Sequence, residues 1–119
     1  MQLVNLSNGT VLADRVWLAD NFKKRLKGLI GNPGLKHGEA LILSPCKSIH
    51  TCFMSFNIDV IFASKEMTIL HTIENIGPFR FSPLITRSHM VIELPVGHLA
   101  ATGSKAGHQL QLTFKEAVL

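Results

Sequence analysis

The chain has 119 residues, 46% of them hydrophobic, and 12 Lys and Arg against 8 Asp and Glu give a formal net charge of +4. That length suits one domain over residues 1–119, large enough to bury a core without help from a disulfide or a metal. No run approaches the ~18 apolar residues of a membrane span, and the first residues lack a basic-then-apolar leader, so the chain reads as soluble and cytoplasmic.

In chain order, Leu3 to Val11 reads as strand, turn, strand, because Asn8-Gly9 is a strong hairpin signal. Leu12 to Leu18 continues the β pattern. Asp20 then suits a helix N-cap, and Phe22, Leu26 and Leu29 fall on one helical face while Lys23, Lys24 and Lys27 lie off it. Gly31-Asn32-Pro33-Gly34 ends that helix, predicted over Asp20 to Ile30. Glu39 to Ser44 and Ser48 to Ser55 read as strands on either side of Pro45. Ile58 to Ala63 and Thr68 to Ile73 form a hairpin around Ser64-Lys65-Glu66. Pro78 to Pro83 resembles an edge piece, and His89 to Leu94 is a strand. Gly97 to Gly107 is a turn of helix or a loop, and Gln109 to Phe114 alternates as a closing strand. The expected fold is mainly β (α+β), a small barrel-like antiparallel or mixed sheet of about seven to nine short strands with one amphipathic helix. Its core draws on Leu41, Leu43, Ile49, Phe53, Val60, Phe62, Ile69, Val91, Ile92, Leu94, Leu110 and Leu112.

The chemistry concentrates between Pro45 and Phe62, where Cys46, His50, Cys52 and Asp59 interrupt apolar sequence. Polar groups in such a setting need partners or cost free energy. On an extended strand Cys46 and Cys52 would stand about 20 Å apart, well beyond the roughly 7 Å limit of a disulfide, so two free thiols are expected, as in a reducing compartment. If Ser48 to Ser55 is a strand, His50, Cys52 and Met54 share a face, and His50 with Cys52 resembles half of a metal site. Cys46, Asp59, His71 and His89 are the available further ligands, none at a diagnostic spacing. The plain alternative is two cysteines acting as small buried hydrophobes beside a hydrogen-bonded histidine. No metal or other cofactor is therefore assigned.

Cys46 as nucleophile, His50 as base and Asp59 as its orienting group make a second reading, which requires a sharp bend at Lys47-Ser48. Asp59 interrupts Ile58, Val60, Ile61 and Phe62, so its carboxylate needs backbone donors or a cation such as Arg25 or Arg80. It serves either as a pin fixing strand register after Asn57 or as a ligand contact. Phe79-Arg80-Phe81 reads as a stacking platform, and with the cluster of Lys23, Lys24, Arg25, Lys27 and Lys36 it supports a nucleic-acid reading. Its plain alternative is a solvated helix face plus two core phenylalanines. His37 and His98 show no partner in the sequence.

Three motifs together resemble the family known as domain of unknown function 192: Arg25-Leu26-Lys27-Gly28-Leu29-Ile30, then Cys46-Lys47-Ser48-Ile49-His50-Thr51 with Met54 and Ile58 to Phe62, then Glu93-Leu94-Pro95-Val96-Gly97 followed by Gly107. The resemblance runs from about Arg25 to Leu112. Phe53-Met54, Pro78-Phe79-Arg80 and Gly107-His108 stand where many members carry Trp-Met, Pro-Trp-Arg and Gly-Asp. It implies a compact β-rich fold and no established activity.

The residues point first to a non-enzymatic binding module. A polar-rimmed pocket formed by Cys46, His50, Met54, Asp59 and Arg80 would hold a small molecule or a peptide, and the expected state is a monomer. The rival is a thiol- or metal-dependent enzyme using Cys46, His50 and Asp59, and weak nucleic-acid binding is the third reading.

Overall fold

The computed structural model describes residues 1–21, 24 and 28–114. The predicted helix over Asp20 to Ile30 falls largely outside the described residues, as do Lys23, Arg25 and Lys27 of the basic cluster.

Among the described residues, eight strands form two sheets. β1 (Gln2–Asn5) and β2 (Thr10–Ala13) make the hairpin that Asn8-Gly9 signals. Gly9 takes φ 73 there, in the left-handed region that glycine occupies at least cost, and its N–H closes the turn on the Asn5 carbonyl. β8 (Leu110–Thr113) pairs on the other side of β1, giving the order β2-β1-β8. The second sheet comprises β3 (Arg15–Ala19), β4 (Glu39–Leu43), β5 (Ile58–Ala63), β6 (Ile69–Ile76) and β7 (Met90–Pro95), in the order β3-β4-β7-β5-β6. β3 and β4 run parallel, which demands the long connection between them, and the other pairs are antiparallel. A short helix, α1 (His98–Thr102), follows β7. The two sheets are not closed into a barrel, so the expected mainly β architecture holds as an open two-sheet arrangement.

β5 is buried at every position, which is why it reads as an almost continuous apolar run. Alternation along it feeds two cores. Ile61 and Ala63 join Leu3, Leu12, Leu94, Leu99 and Leu110 between the two sheets. Val60, Phe62 and Ile58 join Leu43, Val91, Ile49 and Met54 on the other face. Among the described residues no third sheet covers that second face. Its lid includes irregular chain from residues 44–57, together with Leu29, Leu35 and Ile85.

Ser48 to Ser55 is therefore not a strand. It makes one isolated bridge, His50 to Phe81, and otherwise turns. A strand there would have left the second face of β5 open, whereas the turning chain drops Ile49 and Met54 onto it. Phe53 consequently stands outside the core, and Leu112 is only partly buried. No helix among the described residues is long and apolar enough to cross a membrane.

Phe62, wholly buried at the centre of the second core, reports on that packing. Phe62→Ala should cost about 3–5 kcal/mol. Urea titration should show a lower midpoint at unchanged slope, and a loss well under 1 kcal/mol would mean that this face is loosely packed.

Candidate functional site

Two segments meet on the surface over the second core, residues 44–57 and residues 77–89. Backbone bonds zip them together: Cys46 N donates to His89 O at 2.9 Å, Ile85 N to Lys47 O at 2.9 Å, Ser82 N to Ile49 O at 2.9 Å and Thr51 N to Arg80 O at 2.9 Å. Side chains fill the gaps where the ladder is irregular. Ser88 Oγ donates to Cys46 O at 2.9 Å, and Ser82 Oγ accepts the Ile49 N–H at 2.8 Å. Thr51, fully buried, donates its hydroxyl to Gly77 O at 2.6 Å and accepts the Arg80 N–H at 2.8 Å, while its carbonyl accepts the N–H of Phe79 at 3.1 Å.

This stitching turns apolar side chains outward. Phe53, Phe79, Phe81 and Leu84 are 72%, 67%, 78% and 65% exposed. Phe53 and Phe79 sit at φ 67 and φ 58, a region costly for a bulky non-glycine residue. Their rings meet edge to face with centroids 6.3 Å apart, and the His50 ring lies 6.2 Å from that of Phe81. The tripeptide Phe79-Arg80-Phe81 is thus wholly at the surface, which corrects the plain expectation of two core phenylalanines. Beside it an open cleft of about 590 Å³ is lined by Asn57, residues 73–78, Arg80 and Phe81. Another cleft, of about 640 Å³, lies between Trp17 and Leu18 of β3 and residues 28–36, and no feature of the sequence pointed to it.

The expected site residues separate into three groups. His50 and Arg80 are exposed on the aromatic surface, and His50 Nδ1 accepts the Cys52 N–H at 3.3 Å, which leaves the ring proton on Nε2. Met54 and Cys46 lie beneath them. Met54 is buried in the second core, and Cys46 is half-buried against it with its thiol donating to Ser48 O at 3.1 Å. Asp59 is elsewhere. Its carboxylate points to the side of the sheet that carries α1, accepting the N–H of Asn75 and of Leu99, each at 2.9 Å. Leu99 is in the first turn of α1, where an anion satisfies an otherwise unpaired amide. Of the two kinds of partner that Asp59 was expected to need, backbone donors or a cation, it has the backbone donors, and the carboxylate is not turned toward His50. Cys46 and Cys52 are not joined in a disulfide. No three of His, Cys, Asp and Glu among the described residues gather into a metal-holding group. His98, which showed no partner in the sequence, is buried and donates Nε2–H to Leu12 O at 2.6 Å, with the His37 ring 5.3 Å away edge to face.

Sequence reasoning passed over Glu93 except as part of a motif. It is 4% exposed on β7, opposite Leu41 on one neighbour and Val60 on the other, which places it on the second core. Its Oε2 has no hydrogen-bond partner among the described residues. Burial pushes its carboxyl up to about 8. The signal that could have exposed it is the one Asp59 gave, a carboxylate inside an apolar run, here Val91-Ile92-Glu93-Leu94.

Two measurements follow from these carboxylates. Glu93 holds its proton in the folded chain to about pH 8 but ionises near 4.5 when unfolded. The unfolded state therefore binds fewer protons between those values, and stability falls as pH rises from about 4.5 to 8, by a few kcal/mol, then levels. Glu93→Gln should flatten that window in urea titrations, and an unchanged slope would show that another group sets it. Asp59→Ala strands the buried Leu99 amide and the part-buried Asn75 amide and should cost about 2–5 kcal/mol, whereas Asp59→Asn keeps one acceptor and should cost less. Equal losses would mean that the bonds to Asn75 and Leu99 contribute little.

With the geometry in place, comparison with known proteins supplies kinship. A family model described as "Uncharacterized ACR", domain of unknown function 192, matches residues 3–112. A "UPF0127 protein" of Thermococcus sibiricus is 31% identical over 119 residues, covering 96% of this chain and 76% of that one. A UPF0127 protein of Pyrococcus abyssi is 36% identical over 101 residues, covering 80% and 83%. Among solved structures, a protein of unknown function from Novosphingobium aromaticivorans superimposes with TM-score 0.80 at 21% identity, covering 93% of this chain and 82% of that one. A "putative transcription regulator" from Sinorhizobium meliloti gives 0.77 at 21%, covering 92% and 89%. At that identity the two structures speak for the fold alone. The extent of the family match and the archaeal relatives together establish that the chain belongs to the domain of unknown function 192 family.

Proposed function

We propose that this protein is a non-enzymatic binding module whose ligand, a peptide segment or a small molecule, is held on the surface made by residues 44–57 and 77–89. One observation carries the reading: four large apolar side chains stand exposed on stitched loops, two of them at backbone angles that disfavour their residue type. Contiguous exposed apolar groups on a small domain mark interaction sites, and strain concentrates where a conformation serves a purpose beyond folding. His50 and Arg80 supply polar groups at the rim. Met54 and Cys46 shape the floor, and Asp59 contributes from the far face by holding the end of β6 and the start of α1 in place. The thiol-enzyme reading has less support, because Asp59 spends both oxygens on backbone amides. Two cysteines outside any disulfide favour a reducing, cytoplasmic setting.

Selection of displayed random peptides on the wild-type protein and on a Phe79→Ser/Phe81→Ser double variant tests the reading. Both side chains are exposed, so the variant should fold and keep the wild-type circular dichroism spectrum. The expected result is a set of peptides enriched on the wild type and lost on the variant. No enrichment, or equal enrichment on both, would remove this surface as the site.

A further inference from the structure

We infer that the partner held at this surface is an acidic, extended peptide segment, an inference that rests on the binding reading above and names its partner. Three observations converge on it. First, residues 45–58 and 75–92 contain no Asp or Glu, while they carry Lys47, Arg80 and Arg87, all exposed. The ion pairs found among the described residues, Asp14–Arg15 and Asp20–Lys24, involve none of these three. Arg80 in particular stands between two exposed phenylalanines, where a carboxylate could meet its guanidinium with two parallel hydrogen bonds while apolar neighbours cover the rings. Second, the cleft at Arg80 and Phe81 runs along residues 73–76 of β6, and β6 is an outer strand of its sheet. An outer strand offers backbone donors and acceptors to a chain laid beside it, which selects an extended peptide. Third, Glu74 lines the same cleft from the strand side, which sets the polarity of the partner: its acidic residues belong at the Arg80 end.

The rival anionic partners fit less well. Single-stranded nucleic acid needs a row of stacking faces along a basic track, yet Phe53 and Phe79 meet edge to face at 72°. A lipid surface makes no use of a cleft beside a strand edge.

The test takes a peptide enriched on the wild-type protein and resynthesises it with every Asp and Glu changed to Asn and Gln. Binding is followed by amide chemical-shift titration at about 0.05 and 0.3 M salt. The acidic peptide should bind about tenfold more tightly than its neutral counterpart and weaken about tenfold at the higher salt, with shifts at residues 73–81. Arg80→Glu, at an exposed position, should leave the fold intact and abolish the preference for the acidic form. Enriched peptides that bind equally in neutral form, or that Arg80→Glu does not affect, would overturn the inference and leave the binding reading standing. An absence of any enriched peptide would end both. Tighter binding of an oligothymidylate or of phosphatidylglycerol vesicles than of the acidic peptide, lost in Arg80→Glu, would overturn the acidic-peptide assignment and name the other partner.

Discussion

A five-stranded sheet whose central strands β4, β7 and β5 are buried on both faces is the constraint from which the rest follows. Its first face meets the three-stranded sheet and α1, so strand alternation alone completes that core. Its second face meets no sheet among the described residues. Irregular chain must close it, and irregular chain carries backbone groups that need partners. The ladder between residues 44–57 and 77–89, with the Thr51 hydroxyl bridging Gly77 and Arg80, meets that need. The two energetic terms are of similar size. Burying Ile49 and Met54 is worth about 1.5–3 kcal/mol for each side chain, against roughly 1–3 kcal/mol of backbone strain at each of Phe53 and Phe79. The lid can therefore hold its aromatic side chains outward without forfeiting the fold. The same segment that seals the core also displays the surface, which explains why anchor and exposed residues alternate so closely within it.

Two carboxylates inside apolar strands illustrate how surroundings decide the role of a residue. Asp59 and Glu93 interrupt their strands in the same way, one in β5 and one in β7. Asp59 faces the start of α1 and the bulged end of β6, where two amides lack strand partners, and it satisfies both. Glu93 faces the second core, and the surrounding side chains are largely apolar. Burial then favours its neutral form. One carboxylate binds two elements to the sheet by accepting their amides, and the other is kept as a proton-bearing acid beneath the lid.

Much of the strand pattern was legible in the chain. Asn8-Gly9 marked the first hairpin, the alternation of Leu110 and Leu112 marked the last strand, and the apolar run through Ile58 to Ala63 marked a strand covered on both sides. What misled was the stretch after Pro45. Ile49, Thr51 and Phe53 alternate with polar residues as a strand would, yet Ile49 and Thr51 are buried by different means, one by packing and one by hydrogen bonds, and Phe53 is not buried at all. Period-two alternation records that side chains have two kinds of environment. It does not record whether a neighbouring strand exists to pair with. The candidate site was legible to the same degree: His50 and Arg80 do share a surface, because residues 50 and 81 bridge, while Asp59 was assigned to their company only by nearness in sequence.

By itself the amino-acid order determined most of the segments that become strands, where the first hairpin turn falls and that Asp59 would need partners, since these depend on side-chain type and local backbone preference. Only the tertiary structure decided that Phe53, Phe79 and Phe81 face water and that Asp59 and His50 lie apart. It alone also set the different fates of two alike carboxylates. Those outcomes depend on which distant segment arrives to cover each face of the sheet, and no local pattern in the chain encodes the far side of a contact.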